Sequence, residues 1–146
     1  MAPLTVESAT ALLAPLERPE TMAKFYPSVS PNVQWTVSNP TTKTHPIAGH
    51  YTSLKDFGAA SSAIGGAMAT PWGLKLVRPP IVCPAGINVV AELRALNPET
   101  GEPPVGKNGT VFDNRYSWNF VWDPENEKIT EMRAYLDGAL VRDLLS

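Results

Sequence analysis

Asn114-Arg115-Tyr116-Ser117-Trp118-Asn119-Phe120-Val121-Trp122 sets a large aromatic on every second residue. Side chains alternate faces along an extended backbone, so Tyr116, Trp118, Phe120 and Trp122 share one side and Arg115, Ser117 and Asn119 the other. The stretch predicts a strand with one buried face. Asp123-Pro124-Glu125-Asn126-Glu127 then supplies residues whose fixed φ and local hydrogen bonds favour reversal. Lys128 to Asp137 predicts the returning strand. Asp137 stands where its carboxylate accepts the first free N–H groups of a short closing helix that runs to Leu145. A long hairpin capped by a terminal helix is the expected spine.

Upstream of it, Thr5 is placed to cap a helix whose face carries Leu12, Leu13 and Leu16, broken near Pro15. Pro19 suits a first helical turn, and Met22, Ala23, Phe25 and Tyr26 give a second short stripe that Pro27 stops. Asn32 to Ser38 alternates Val33, Trp35 and Val37 against Gln34, Thr36 and Ser38, a strand with an apolar and a polar face. His45 to Thr52 is extended. Ser53 caps a third helix in which Leu54, Phe57, Ile64 and Met68 share an inner side, loosened by Gly65-Gly66. Trp72 to Val82 is extended and interrupted by Pro79-Pro80, and Ile87 to Leu96 is a clearer strand. Asn97 to Gly106, dense in Pro and Gly, is either a reversal loop or a flap over a pocket mouth.

Helices followed by mainly antiparallel strands make an α+β order, with the helices on one side of a curved sheet. At 146 residues the chain fits one domain, 1–146. Twelve Lys and Arg stand scattered against 14 Asp and Glu, so no basic surface for nucleic acid or an anionic membrane is expected. A single cysteine, Cys83, excludes an internal disulfide and is read as a small buried apolar residue. No run is long enough for a membrane span and no signal segment stands out, which leaves a cytoplasmic location as the default. His45, His50 and Cys83 lack metal-ligand spacing, and there is no Gly-rich phosphate loop. Neither metal nor nucleotide cofactor is expected.

Phe112-Asp113-Asn114-Arg115-Tyr116, with Lys128-Ile129-Thr130-Glu131-Met132-Arg133-Ala134-Tyr135-Leu136-Asp137-Gly138-Ala139-Leu140-Val141, resembles the closing signature of SnoaL-like proteins in the nuclear transport factor 2-like superfamily. Val33-Gln34-Trp35-Thr36-Val37 and His45-Pro46-Ile47-Ala48-Gly49-His50-Tyr51 add to the likeness. The resemblance implies a cone-shaped α+β barrel: a curved sheet wrapped around N-terminal helices, with a short C-terminal helix. It also implies a cavity for acid/base chemistry on small hydrophobic metabolites, a homodimer paired through the outer sheet face, and a place in secondary metabolite biosynthesis. Carried over residue by residue, the acid/base aspartate of the cyclases falls on Ala134. The arginine and aspartate pair of the epoxide hydrolase falls on Val89 and Ala91, and the two ketosteroid isomerase acids fall near Trp118 and Val37. None of those mechanisms is copied here.

By these registers Asn114, Tyr116, Trp118 and Phe120 face inward, with Met132, Ala134 and Leu136 beside them. Tyr116 is the expected proton donor or anchor for a ligand carbonyl, since a buried phenol needs a partner; otherwise it is a structural tyrosine bonded to a helix backbone. Asn114 either orients the same oxygen or satisfies a loop. Glu131 faces out unless a bulge reverses the register and brings it into the cavity, where desolvation would raise its pKa into the range of a general acid or base. Trp35, Val37, Phe57, Val89, Ala91, Trp118, Phe120, Met132, Ala134 and Leu136 are the expected ligand wall. The function expected from this set is a cofactor-independent isomerase or cyclase, with dehydratase chemistry a variant, acting on a hydrophobic polycyclic intermediate. A non-catalytic binding protein or a homodimeric interaction module of the same fold is the alternative.

Overall fold

The computed structural model describes residues 2–146. The first helix, α1 (Val6–Leu13), starts where a capping box forms: Thr5 Oγ1 accepts from the Ser8 N–H while Ser8 Oγ accepts from the Thr5 N–H. That reciprocal pair satisfies two of the orphan donors at a helix start. Pro15 tightens the next turn, Ala14–Glu17, into a 3-10 helix, so α1 ends three residues before the expected Leu16. Leu16 itself points into the core. The next helix, α2 (Pro19–Met22), is a single turn that stops before Phe25, and a 3-10 turn at Tyr26–Ser28 leads into the sheet.

Seven strands follow: β1 (Val29–Val37), β2 (Gly49–Tyr51), β3 (Gly73–Leu76), β4 (Ile81–Val82), β5 (Asn88–Leu96), β6 (Arg115–Asp123) and β7 (Lys128–Leu136). Helix α3 (Leu54–Gly66) lies between β2 and β3, and α4 (Gly138–Leu144) closes the chain. The sheet order is β2-β1-β7-β6-β5-β3, with β4 pairing β5. All neighbours are antiparallel except β1 and β7. The expected α+β architecture, a curved and mainly antiparallel sheet around helices, is what the chain adopts.

Alternation along the central strands decides which face each residue takes. On β6, Tyr116, Trp118, Phe120 and Trp122 are buried, and on β5, Val89, Ala91, Leu93 and Ala95. On β1, Val33, Trp35 and Val37 are buried as well. A bulge does interrupt the β6–β7 ladder: Val121 pairs with Glu131 but Trp122 with Ile129, leaving Thr130 extra. It lies on the N-terminal side of Glu131. Both Ile129 and Met132 therefore face inward while Glu131 stays outside, paired to Arg133 at 3.3 Å.

Three junctions set the shape of the interior. Gly73, at the start of β3, passes so close to the 3-10 turn that a Cβ there would lie 2.0 Å from the Glu17 carbonyl oxygen, so only glycine lets the edge strand meet the N-terminal helices. Asn114 is wholly buried: its Nδ2 donates to the Asp137 carbonyl at 3.1 Å, and its Oδ1 accepts from the Asp137 N–H at 2.9 Å. This clamp ties β6 to the corner where β7 becomes α4, and Asp137 caps α4 through its own carboxylate. Third, the segment after Asn97 folds back as a reversal loop. It bridges Gly106 to Met68 and gives the Lys107 N–H to the Ala67 carbonyl at 2.8 Å, sealing the end of α3.

Candidate functional site

Between β6 and the helices α2 and α3 lies a hollow that opens to solvent on one side, where Pro19, Gly58, Ser62 and Gly65 are exposed. The hollow has a volume of about 430 Å³, within the range of small-molecule sites. Its floor is Tyr116 and Trp118 from β6, with Leu74 from β3. Phe57 and Ile64 of α3 form one wall, and Leu16, Pro19, Met22 and Tyr26 the other. Trp72 closes one side, and Gly58, Ser61, Ser62 and Gly65 of α3 line the rest. No Asp, Glu, His, Lys or Arg is part of the lining. The cavity is apolar and aromatic, with hydroxyl and indole groups as its polar edges.

Tyr116 carries the unusual feature. Its side chain is 6% exposed, and its hydroxyl, closed to solvent, has no hydrogen-bond partner. A phenol in a hydrophobic interior nearly always finds one, because an unpaired buried hydroxyl costs about 1–3 kcal/mol. Burial pushes the Tyr116 phenol far above its usual ionisation range and raises Tyr26 as well, so both remain neutral donors at any working pH. The only other buried side-chain polar atom without a partner, among the described residues, is Trp35 Nε1. The Trp35 ring stacks on Phe57 with centroids 3.8 Å apart and meets Trp118 edge-on at 5.5 Å. Trp35, expected in the ligand wall, does not line the hollow; it lies behind Phe57 and Trp118, which do.

The residues singled out from sequence are spread over five places. Tyr116, Phe57 and Trp118 meet at the cavity. Asn114 is outside it, with both amide atoms engaged by Asp137. Glu131 is on the opposite face of the sheet, in a groove of about 350 Å³ shared with Cys83, Val90, Asn119 and Arg133. Val37, Ala91, Met132 and Ala134 face inward as expected, but they are packed solid and do not line the hollow; Val89 and Phe120, also buried, border the groove that holds Glu131 instead. Leu136 borders a shallow surface depression beside His45. Leu16, Pro19, Met22, Tyr26, Trp72, Leu74 and the small residues of α3 were not expected in the lining. Helical spacing puts Gly58, Ser61, Ser62 and Gly65 on one side of α3, and the others had no such signal.

Three further groups have defined surroundings. Cys83 is half-buried rather than buried, and its sulfur accepts from the Asn88 N–H at 3.4 Å; backbone N–H groups of that turn, Asn88 first, lower its thiol to about 7. His45 is buried, its Nδ1 accepting from the Ile47 and Ala48 N–H groups, both at 3.2 Å, and its Nε2 meeting Ser38 Oγ at 3.0 Å. Burial, and secondarily Arg142, lower its pKa. His50 bridges Thr36 and Gln34 on the outer face of β1 and β2.

A protein of unknown function described as NTF2-like, from Burkholderia pseudomallei K96243, superposes with a TM-score of 0.63 at 15% identity, over 98% of this chain and 99% of its own. The chain has the NTF2-like fold. A proposed polyketide cyclase from Pseudomonas putida KT2440 shares this NTF2-like architecture with a TM-score of 0.65 at 15% identity, over 98% and 99% of the two chains. TerC, crystallised with polyporic acid, gives a TM-score of 0.66 at 17% identity over 96% of each chain. No protein-family model matches the sequence, and no curated protein matches it. Identities this low carry the NTF2-like fold and nothing finer. No helix among the described residues is long and apolar enough to cross a membrane.

Proposed function

We propose that the chain is a cofactor-independent isomerase or cyclase acting on a hydrophobic, ring-bearing carbonyl compound held between β6 and α3. The observation that carries this reading is the unpartnered Tyr116 hydroxyl beside an apolar cavity of about 430 Å³. A ligand oxygen that accepts from Tyr116 Oη supplies the missing hydrogen bond, once the lining parts to admit it. If negative charge grows on that oxygen during the reaction, a neutral donor fixed in a dry site stabilises the transition state more than the ground state.

With no carboxylate or histidine in the lining, the cavity offers no base of ordinary strength. Its contribution is therefore conformational: aromatic walls hold one folded conformer, and Tyr116 polarises the carbonyl while the substrate's own groups exchange the proton. Fold-level neighbours support the reading by analogy, one a proposed polyketide cyclase and another crystallised with polyporic acid. The same lack of a base favours a second reading, a protein that binds such a molecule without turning it over.

The deciding experiment begins with the metabolite that accumulates when the gene is removed. Purified protein should convert that compound, and Tyr116→Phe should lower kcat by about a hundredfold, the typical loss of one oxyanion-site donor. Full turnover by Tyr116→Phe would remove Tyr116 from the chemistry. Tight binding with no conversion would establish the second reading.

A further inference from the structure

Charge of one sign gathers at the β2 edge of the sheet. A depression of about 570 Å³ lies there, bordered by the loop that joins β1 to β2, by β2 itself and by α4. Lys43 and His45 line it from the loop, His50 from β2 and Arg142 from α4, so both histidines of the chain and two of its 12 Lys and Arg meet at one place. None of the 14 Asp and Glu is in the lining. The groove around Glu131, by contrast, sets that carboxylate against Arg133. Neither Lys43 nor Arg142 enters any of the four ion pairs among the described residues. The ring nitrogens of the two histidines are already engaged, those of His45 by its own turn and Ser38, those of His50 by Thr36 and Gln34. The uncompensated charge is therefore that of Lys43 and Arg142.

Two features set this pair apart from an ordinary solvated surface. Lys43 is held in the left-handed region, with φ 51°, where a side chain is unfavourable and glycine escapes the penalty, so the fold keeps a lysine where its backbone would prefer glycine. Arg142 lies close enough to the buried His45 ring to lower its pKa, second only to burial itself. A guanidinium beside a buried imidazole, with another cation on the same depression and no acid in its walls, gains from a negative charge that the chain does not supply. We propose that this depression binds a phosphate group, free or as a small monoester, with Arg142 presenting its planar fork to two oxygens and Lys43 a point charge to the third. Pro46, Ala48 and Tyr51 give the lining an apolar part against which the body of an ester can lie. This site is separate from the hollow beside Tyr116 and stands whether or not Tyr116 takes part in chemistry.

His45 is a built-in reporter. Inorganic phosphate and phenyl phosphate are titrated into the protein at constant ionic strength, with chloride as the control, and the His45 ring is followed by NMR across acidic and neutral pH. Bound phosphate should raise the His45 pKa, because it offsets the Arg142 charge that lowers it, and chloride should not. Arg142→Gln and Lys43→Gln should each weaken phosphate about 3- to 10-fold. Lys75→Gln, on the opposite edge strand β3, should leave it within about twofold. Lys43→Gly, which suits the left-handed backbone, should lose phosphate as Lys43→Gln does and melt no lower than the wild type. Tighter binding of phenyl phosphate than of the free ion identifies an ester as the ligand and equal binding identifies inorganic phosphate; either result supports the site. A His45 titration that phosphate leaves unmoved, or a loss in Lys75→Gln equal to that in Arg142→Gln, reduces the depression to a solvated surface and overturns the proposal. Phosphate held as tightly by Lys43→Gln as by the wild type overturns the two-cation site.

Discussion

Replacing Tyr116 by Phe should make the ligand-free protein more stable and its complex with a carbonyl ligand weaker. The hydroxyl is shut off from solvent and bonded to nothing, so deleting it relieves a desolvation cost of about 1–3 kcal/mol. Against this stands the small void left by one oxygen, roughly 0.3 kcal/mol at about 24 cal/mol per Å³. The net gain is about 1–2.5 kcal/mol. For a chain of 146 residues that raises the melting temperature by about 3–8 °C, and the urea midpoint should rise with an unchanged slope. Affinity for fluorenone, a three-ring ketone used as a probe of the cavity, should meanwhile fall about 2- to 10-fold, the worth of one neutral hydrogen bond. A tyrosine serving only the fold would show the opposite stability change, because its partner would be left stranded. Loss of stability in Tyr116→Phe, with fluorenone binding intact, would refute the argument that the orphaned phenol waits for a ligand.

Other outcomes follow from groups away from the cavity. His45 has a lowered pKa, so the folded chain takes up its proton less readily than the unfolded chain. Stability should be full above the unfolded value of about 6.5 and fall as pH drops through the depressed folded pKa; urea titrations from pH 8 to 5 should show that slope, and His45→Gln should abolish it. Cys83, its thiol lowered to about 7, should be alkylated by iodoacetamide with a rate that rises to half its maximum near pH 7, and a midpoint above pH 8 would contradict the backbone N–H stabilisation. Asn114→Ala should cost about 2–4 kcal/mol in urea unfolding, since it strands both the N–H and the carbonyl of Asp137, yet leave fluorenone affinity unchanged. Glu131→Gln should likewise leave the cavity's affinity alone, because Glu131 is across the sheet from it. If the outer face with its exposed Val90 and Tyr135 pairs two copies, Tyr135→Glu should shift sedimentation from dimer to monomer; an unaltered profile would place the dimer contact elsewhere.

Local signals were legible from the sequence and distant ones were not. Thr5, Ser53 and Asp137 cap helices where they were expected to, because a cap is decided within three residues. The inward side of β6 followed from its period, since alternation needs no knowledge of the partner strand. Alternation gives the face but not the place along it. Val37, Met132 and Ala134 share the concave side with Tyr116, yet they are packed solid while Tyr116 borders a hollow. Nothing in β1 or β7 states where a helix will cross. That depends on Trp35 lying flat against Phe57, which fills the β1 end, and on Gly73 meeting Glu17, which draws the edge strand under the helices at the other. Asn114 was opaque for a similar reason, its partner Asp137 being 23 residues away. The one readable trace of the hollow was in α3, whose apolar stripe positions its inner side while three glycines weaken it. Phe57 and Ile64, the buried residues of that stripe, line the hollow, whereas Gly58, Ser62 and Gly65 at its mouth are exposed, so the pattern of α3 marks the wall and not the opening.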